Sequence, residues 1–314
     1  MELFISFILL GLSLGLLVYG ANKFVDSATL IAGKIGINEF IIGVTIVALG
    51  TSVPEFFVGI SSVINDNEEI ALGAVIGSNI SNIALIFGIS CIGYSAMQPA
   101  YNRNIIAVIA STAVALYALS DLTIDSFDSI LFLLVLFYFI YALINRPDVY
   151  KGSGADNNSK LINAFLMLAF GFILLLIGSN YAVIYGEKTA LILGIPELII
   201  GLTVLAIGTS LPELAVTINA LLKKKNSMVL GNIVGSNILN LVIVLPILGL
   251  FSNQTYSNLI ISRDLLMMSI FTFIFILIAL SFNLKNIPAY AYRITGALLV
   301  SGYIYYIGNL ANFF

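Results

Sequence analysis

The sequence contains no histidine and a single cysteine, Cys91. Without histidine, zinc loses its usual nitrogen ligand and imidazole acid–base catalysis has no residue to perform it. One cysteine in an apolar run supports neither a disulfide nor a thiolate metal site. Charge is scarce too: 9% of the 314 residues are Asp, Glu, Lys or Arg, against about 25% in a soluble chain. That shortage leaves no stretch from which a soluble domain could be built. The net charge of −3 identifies no class of partner; no nucleic acid and no obligatory protein partner is expected. The start, Met1-Glu2-Leu3, carries no basic segment, so the first apolar run is expected to remain as a span and not to leave as a signal peptide.

Apolar sequence fills the space instead. Hydrophobic residues make up 60% of the chain and the mean hydropathy is +1.08, which places it in the lipid bilayer. Spans of about 20 residues suffice to cross, and ten are expected: 3–24, 38–64, 68–95, 103–120, 127–145, 161–183, 197–222, 226–251, 264–283 and 289–311. The stretch resembling a linker runs from Asn145 to Lys160 and holds Pro147, Gly152, Ser153 and Gly154. The expected division is therefore 1–145, a linker at 146–160, and 161–314, with five spans on each side.

The two halves are copies. A shift of 158 residues places Gly36-Ile37 on Gly194-Ile195, Glu55 on Glu213, and Gly77-Ser78-Asn79-Ile80 on Gly235-Ser236-Asn237-Ile238, without a gap. An odd number of spans per copy turns the second upside down relative to the first. Charge agrees with inversion, because the acidic loop Asn65-Asp66-Asn67-Glu68-Glu69 corresponds to Lys223-Lys224-Lys225-Asn226-Ser227. With both termini outside and the 146–160 linker cytoplasmic, 11 of the 13 Lys and Arg fall in or beside inner loops; Lys188 and Arg263 do not.

Polar residues inside the spans point to the chemistry. Gly50-Thr51-Ser52-Val53-Pro54-Glu55 returns as Gly208-Thr209-Ser210-Leu211-Pro212-Glu213. A carboxylate at membrane depth costs about 2.5–3.5 kcal/mol on insertion scales and demands compensation. Pro54 lacks an N–H and clashes with the carbonyl four residues back, so the helix should open near Gly50. Open backbone at that depth is tolerated only where it lines a protein-buried or watery cavity. Carbonyls released near Ala48, Gly50 and Thr51 would then lie one turn from Glu55, and several hard oxygens around an anion make a cation site. A second patch is also doubled: Ser78 and Asn82, like Ser236 and Asn240, stand four residues apart on glycine-rich helices. Alone, such Ser and Asn could merely join helices; each patch follows a proline-broken carboxylate helix, which favours the site. Elsewhere the plainer readings stand. Aromatic residues belong to lipid-facing, core or interfacial positions, Asn22 and Asn180 to caps or bridges, and Lys223–Lys225 to topology and nothing more.

The paired GTS-x-PE and GSN-I-x-N stretches resemble the alpha-repeats of the calcium/cation antiporter superfamily, and within it the short prokaryotic sodium/calcium exchangers. The likeness extends over essentially the whole chain, with the motifs inside 43–88 and 201–246. It implies an all-α membrane protein of ten transmembrane helices in two inverted five-helix repeats. The ion site would lie at the repeat interface, flanked by a long first and sixth helix that slide past a core. It also implies a ligand set. Glu55 and Glu213 would be the central carboxylates, Thr51 and Thr209 would offer backbone and hydroxyl oxygens, and Ala48 and Ala206 backbone carbonyls. Ser78 and Ser236 would offer hydroxyls, Ser52 and Ser210 support, and Asn82 and Asn240 central amides. Some members, potassium-dependent exchangers among them, have Asp where this chain has Asn240. That departure argues against potassium cotransport and leaves two fixed charges. The linker is too short for the calcium-sensing domains of animal exchangers.

The function so implied is not enzymatic: sodium/calcium antiport across the cell membrane by alternating access, with Ca²⁺ and Na⁺ as transported ions and no cofactor. One Ca²⁺ or two Na⁺ would neutralise two carboxylates, and more than two Na⁺ would make the cycle electrogenic. A proton/calcium exchanger could use the same scaffold. A passive cation channel is a further class, and an intramembrane hydrolase lacks a nucleophile–base pair.

Overall fold

The structure is a computed structural model, and it describes residues 2–65, 68–93, 102–145, 158–194, 208, 210–251, 254–282 and 287–310. Among these residues every regular element is helical. The helices are α1 (Glu2–Ile35), α2 (Glu39–Thr51), α3 (Val53–Ile64), α4 (Glu68–Ile92), α5 (Asn102–Ala118), α6 (Ser126–Ile144), α7 (Asn158–Ile192), α8 (Leu211–Leu222), α9 (Asn226–Phe251), α10 (Ile260–Ser281) and α11 (Ala289–Leu310). Seven are long and apolar enough to cross a membrane, and α2 with α3 forms an eighth span bent by 43°. The chain is therefore a multi-pass membrane protein. Helices α8 and α11 occupy two more of the ten expected positions; the first part of the seventh expected span, 197–207, and most of the 146–160 linker lie outside the described residues.

Burial sorts the helices. Along their most apolar stretches, 83% of α9 and 72% of α4 is buried, against 22% for α1 and for α7. The core thus forms around α4 and α9, and the two long helices lie outside it. Small residues allow the tight contacts. A Cβ on Gly43 would stand 2.5 Å from the Met228 carbonyl, and one on Gly235 2.6 Å from the Val44 carbonyl, so α2 and α9 meet backbone to backbone.

Helices α1 and α7 pack along one another, and their crossing carries the repeat. A Cβ on Gly20 would fall 2.5 Å from Leu175 N, and one on its copy Gly178 2.5 Å from Leu17 N. Both helices outrun the expected spans 3–24 and 161–183 by three turns or nearly so. Hydropathy marks the length in contact with lipid, and the helix goes on until backbone geometry ends it. For α1 that stop is Gly36, at φ 75°, after which Ile37 N–H returns to the Ala32 carbonyl at 2.9 Å. Its copy Gly194 ends α7 at φ 78°.

The lysines after α8 hold helices together, which exceeds the topology role expected of them. Lys223 Nζ donates to Asp26 Oδ1 at 2.7 Å, to the Asn22 carbonyl at 3.1 Å, and to Asn22 Oδ1, tying the end of α8 to α1. Lys225 Nζ meets Glu39 Oε1 at 2.7 Å at the start of α2.

Candidate cation site

Proline sets the local backbone. At Ser52 the chain turns with φ −84° and ψ 4° and α3 begins, Pro54 lying in its first turn where a missing N–H does no harm. The second half repeats this at Ser210, with φ −89° and ψ 5°, ahead of Pro212 and α8. The opening therefore falls at Ser52, two residues beyond the expected Gly50. The helical ladder survives that far: Ser52 N–H donates to the Ala48 carbonyl at 3.0 Å, and the Thr51 hydroxyl reaches it at 3.4 Å. The Ala48 carbonyl is thus not released. The Gly50 carbonyl does lose its usual donor, because Pro54 has no N–H.

Each break leaves a glutamate in the first turn of the following helix, Glu55 on α3 and Glu213 on α8, both 1% exposed. A helix N-terminus favours an anion there. No basic side chain pairs with either carboxylate among the described residues. Two buried charges without a cation would cost several kcal/mol each.

Hydroxyls and amides converge on them. Ser78 Oγ donates to Glu55 Oε1 at 3.0 Å, and Ser52 Oγ, from the first half, donates to Glu213 Oε1 of the second at 3.3 Å. Ser78 also receives Ser210 Oγ at 3.4 Å and Asn240 Nδ2 at 3.2 Å. A hydroxyl has one proton and two lone pairs, so Ser78, expected as a hydroxyl ligand, is fully used in this arrangement. Its copy Ser236 has no partner among the described residues.

What remains unsatisfied is the most informative feature. Glu55 Oε2, Glu213 Oε2, Ser236 Oγ, Asn240 Oδ1 and both amide atoms of Asn82 are buried without a partner among the described residues. An unsatisfied buried polar atom costs about 1–3 kcal/mol. Five of these six atoms are oxygens, the donor set that a hard cation takes. Thr209 and Ala206, also expected at the site, lie outside the described residues.

Other features were not expected. Residues 81–87 of α4 and 240–244 of α9 form π turns, placing Asn82 and Asn240 where the regular ladder is interrupted. Thr51 Oγ1 can donate to Asn232 Oδ1 at 3.4 Å in place of the Ala48 carbonyl, and Asn232 Nδ2 donates to Thr217 Oγ1 at 3.1 Å. The first copy has Ala74 and Gly59 at those places, so a search for doubled positions passes them by; the departure from the repeat was the available signal.

Comparison with known proteins follows the same outline. The family model described as sodium/calcium exchanger protein matches residues 5–145 and 163–311. The inner membrane protein YrbG of Escherichia coli is 32% identical over 96% of this chain and 95% of its own length. The sodium/calcium exchanger MaX1 of Methanosarcina acetivorans is 30% identical over 79% of this chain and 83% of its own. Among solved structures, the sodium-calcium exchanger NCX_Mj soaked with 10 mM Na⁺ and zero Ca²⁺ superposes with a TM-score of 0.82 at 29% identity, covering 98% of this chain and 99% of that one.

Proposed function

The chain belongs to the sodium/calcium exchanger protein family, and from that premise we propose that it exchanges sodium for calcium across the cell membrane. One observation carries the reading: two buried carboxylates with no basic partner, among buried oxygens that lack hydrogen-bond partners. Ca²⁺ takes six to eight oxygens at about 2.3–2.6 Å in flexible geometry. Ligands from two opened helices and two π turns can adjust to such a shell.

In this reading Glu55 and Glu213 supply the charge, and Ser236, Asn82 and Asn240 the side-chain oxygens. Ser52, Ser210 and Ser78 orient the carboxylates, with Thr51, Thr209 and Ala206 as the remaining contributors; Ala48 can join only through the carbonyl lone pair that its helical hydrogen bond leaves free. One Ca²⁺ or two Na⁺ neutralise the pair. The two ions displace each other because they share oxygens, and a site emptied of both keeps uncompensated charge too costly to carry across. Only the loaded protein reorients, which is antiport by alternating access. A third sodium makes each cycle move net charge. Asn240 leaves no third carboxylate for potassium cotransport. Lysine and arginine distribution supports both termini outside and the 146–160 linker in the cytoplasm, between the five-span units 1–145 and 161–314.

The test is radioactive calcium uptake into proteoliposomes loaded with Na⁺, with K⁺, or with a pH gradient alone. Uptake driven by the sodium gradient is expected. Uptake driven equally well by the pH gradient without sodium would assign the protein to proton/calcium exchange instead.

A further inference from the structure

Asn240 is an amide where a carboxylate would serve either way round. A carboxylate presents oxygen whichever way it turns; an amide does so in only one of two orientations. Something has to choose. In the structure Asn240 Nδ2 points to Ser78 Oγ and to Asn79 Oδ1, both at 3.2 Å, which leaves Oδ1 buried and unpartnered among the described residues. Ser78, its proton given to Glu55, accepts here and agrees with that orientation, but its hydroxyl turns freely once Glu55 has another partner. Asn79 has no such freedom. Its own Nδ2 faces the Asn237 carbonyl at 3.2 Å and Met268 Sδ at 3.8 Å, two groups that only accept. Asn79 must therefore turn its NH₂ that way and its oxygen toward Asn240, and Asn240 must answer with its NH₂.

Building on the cation site proposed above, we infer that Asn79 is a positioning residue: through the Asn237 carbonyl it fixes the amide of Asn240 so that Oδ1 faces the ion. The relay is not duplicated. Asn237, the copy of Asn79, turns its Nδ2 into its own helix, to the Ile233 carbonyl at 2.8 Å. Asn82, the copy of Asn240, has both amide atoms without partners among the described residues. One half of the site is oriented in advance, and the other turns to suit its ion.

The experiment is a double-substitution cycle read by calcium binding to the purified full chain in nanodiscs. Asn79→Ala is expected to weaken calcium about tenfold, the cost of one misdirected buried polar group. In an Asn240→Asp background, where both oxygens are equivalent and the Asn79 oxygen faces another acceptor, the same change should cost nothing or strengthen binding. Asn79→Ser, gentler on packing, should show the same dependence on background and decides the matter if Asn79→Ala does not fold. Equal losses in both backgrounds would mean that Asn79 serves general structure, and the inference fails. Asn240→Ala separates the two levels of the argument. If it weakens calcium while Asn79→Ala does not, only the relay is wrong; if it has no effect, Asn240 is not at the site and the relay falls with it, while the carboxylate pair is judged by sodium-driven uptake.

Discussion

Replacing Glu55 by Gln should make the ion-free protein more stable and abolish its response to calcium. Gln keeps the shape of Glu, and its carbonyl oxygen can accept the Ser78 hydroxyl now held by Oε1 at 3.0 Å. The NH₂ then takes the place of Oε2, which has no partner among the described residues. That new orphan costs about 1–3 kcal/mol. In return, in alkali where no proton neutralises the parent's carboxylate, one buried, unpaired charge disappears, which is worth several kcal/mol. The balance favours the variant by roughly 1–3 kcal/mol when no cation is present. Added calcium reverses the order: at a hundred times its dissociation constant it stabilises the parent by about 2.7 kcal/mol, and it should leave the variant unmoved. Thermal unfolding in detergent at alkaline pH, with chelator and then with calcium, reads both effects. A variant that melts lower than the parent in chelator and still rises with calcium would refute the picture of a charged, unpaired pocket.

Glu213→Gln should behave likewise, and neither variant should take up calcium in exchange for sodium; uptake retained in both would remove these residues from the site. Asn240→Asp adds a third charge and should change the selectivity between calcium and sodium, measured by competition; unchanged affinities would place residue 240 elsewhere. Protons compete with calcium for the same carboxylate oxygens, so calcium affinity at fixed ionic strength without sodium should fall on acidification and level off in alkali. A flat profile would show that no proton leaves when calcium binds. Gly235→Val should lower the melting temperature by the equivalent of about 1–3 kcal/mol, because a Cβ there already stands 2.6 Å from the Val44 carbonyl. A melting point equal to the parent's would mean that α2 and α9 are farther apart.

The doubled residues were the legible ones. Ser52 and Glu55, with Ser210 and Glu213, announce themselves because a proline and a carboxylate recur inside apolar sequence, and physics gives each a reason. The backbone break could be inferred to within two residues, but not which carbonyl it frees, since that depends on where the ladder gives way; hence Ala48. Helix lengths were underestimated because Lys23 and Asp26 end the hydrophobic run without ending α1. The π turns around Asn82 and Asn240 leave no local signature, since any apolar residue fits them. Asn79 lay in a quoted motif, yet its role depends on a carbonyl contributed by its own copy, a contact that only folding creates. Asn232 and Thr217 were hidden for the opposite reason, as positions at which the copies part.

That divergence has a thermodynamic consequence at Lys223. Were an inverted duplication perfectly self-similar, exchanging the shapes of its halves would interconvert two states of equal energy related by a two-fold rotation. Each facing would then be half populated at zero voltage without ions. Lys223 and Asp26 break the degeneracy, because their copies are Asn65 and Ile184 and can form no ion pair at the opposite end. With side chains 26% and 60% exposed, a single such pair is worth about 0–1 kcal/mol, a population ratio of up to about five. In the proposed cycle this pair contributes up to that factor toward the facing in which α1 meets the end of α8. Because the pair is solvent-exposed, the preference should fade as ionic strength rises.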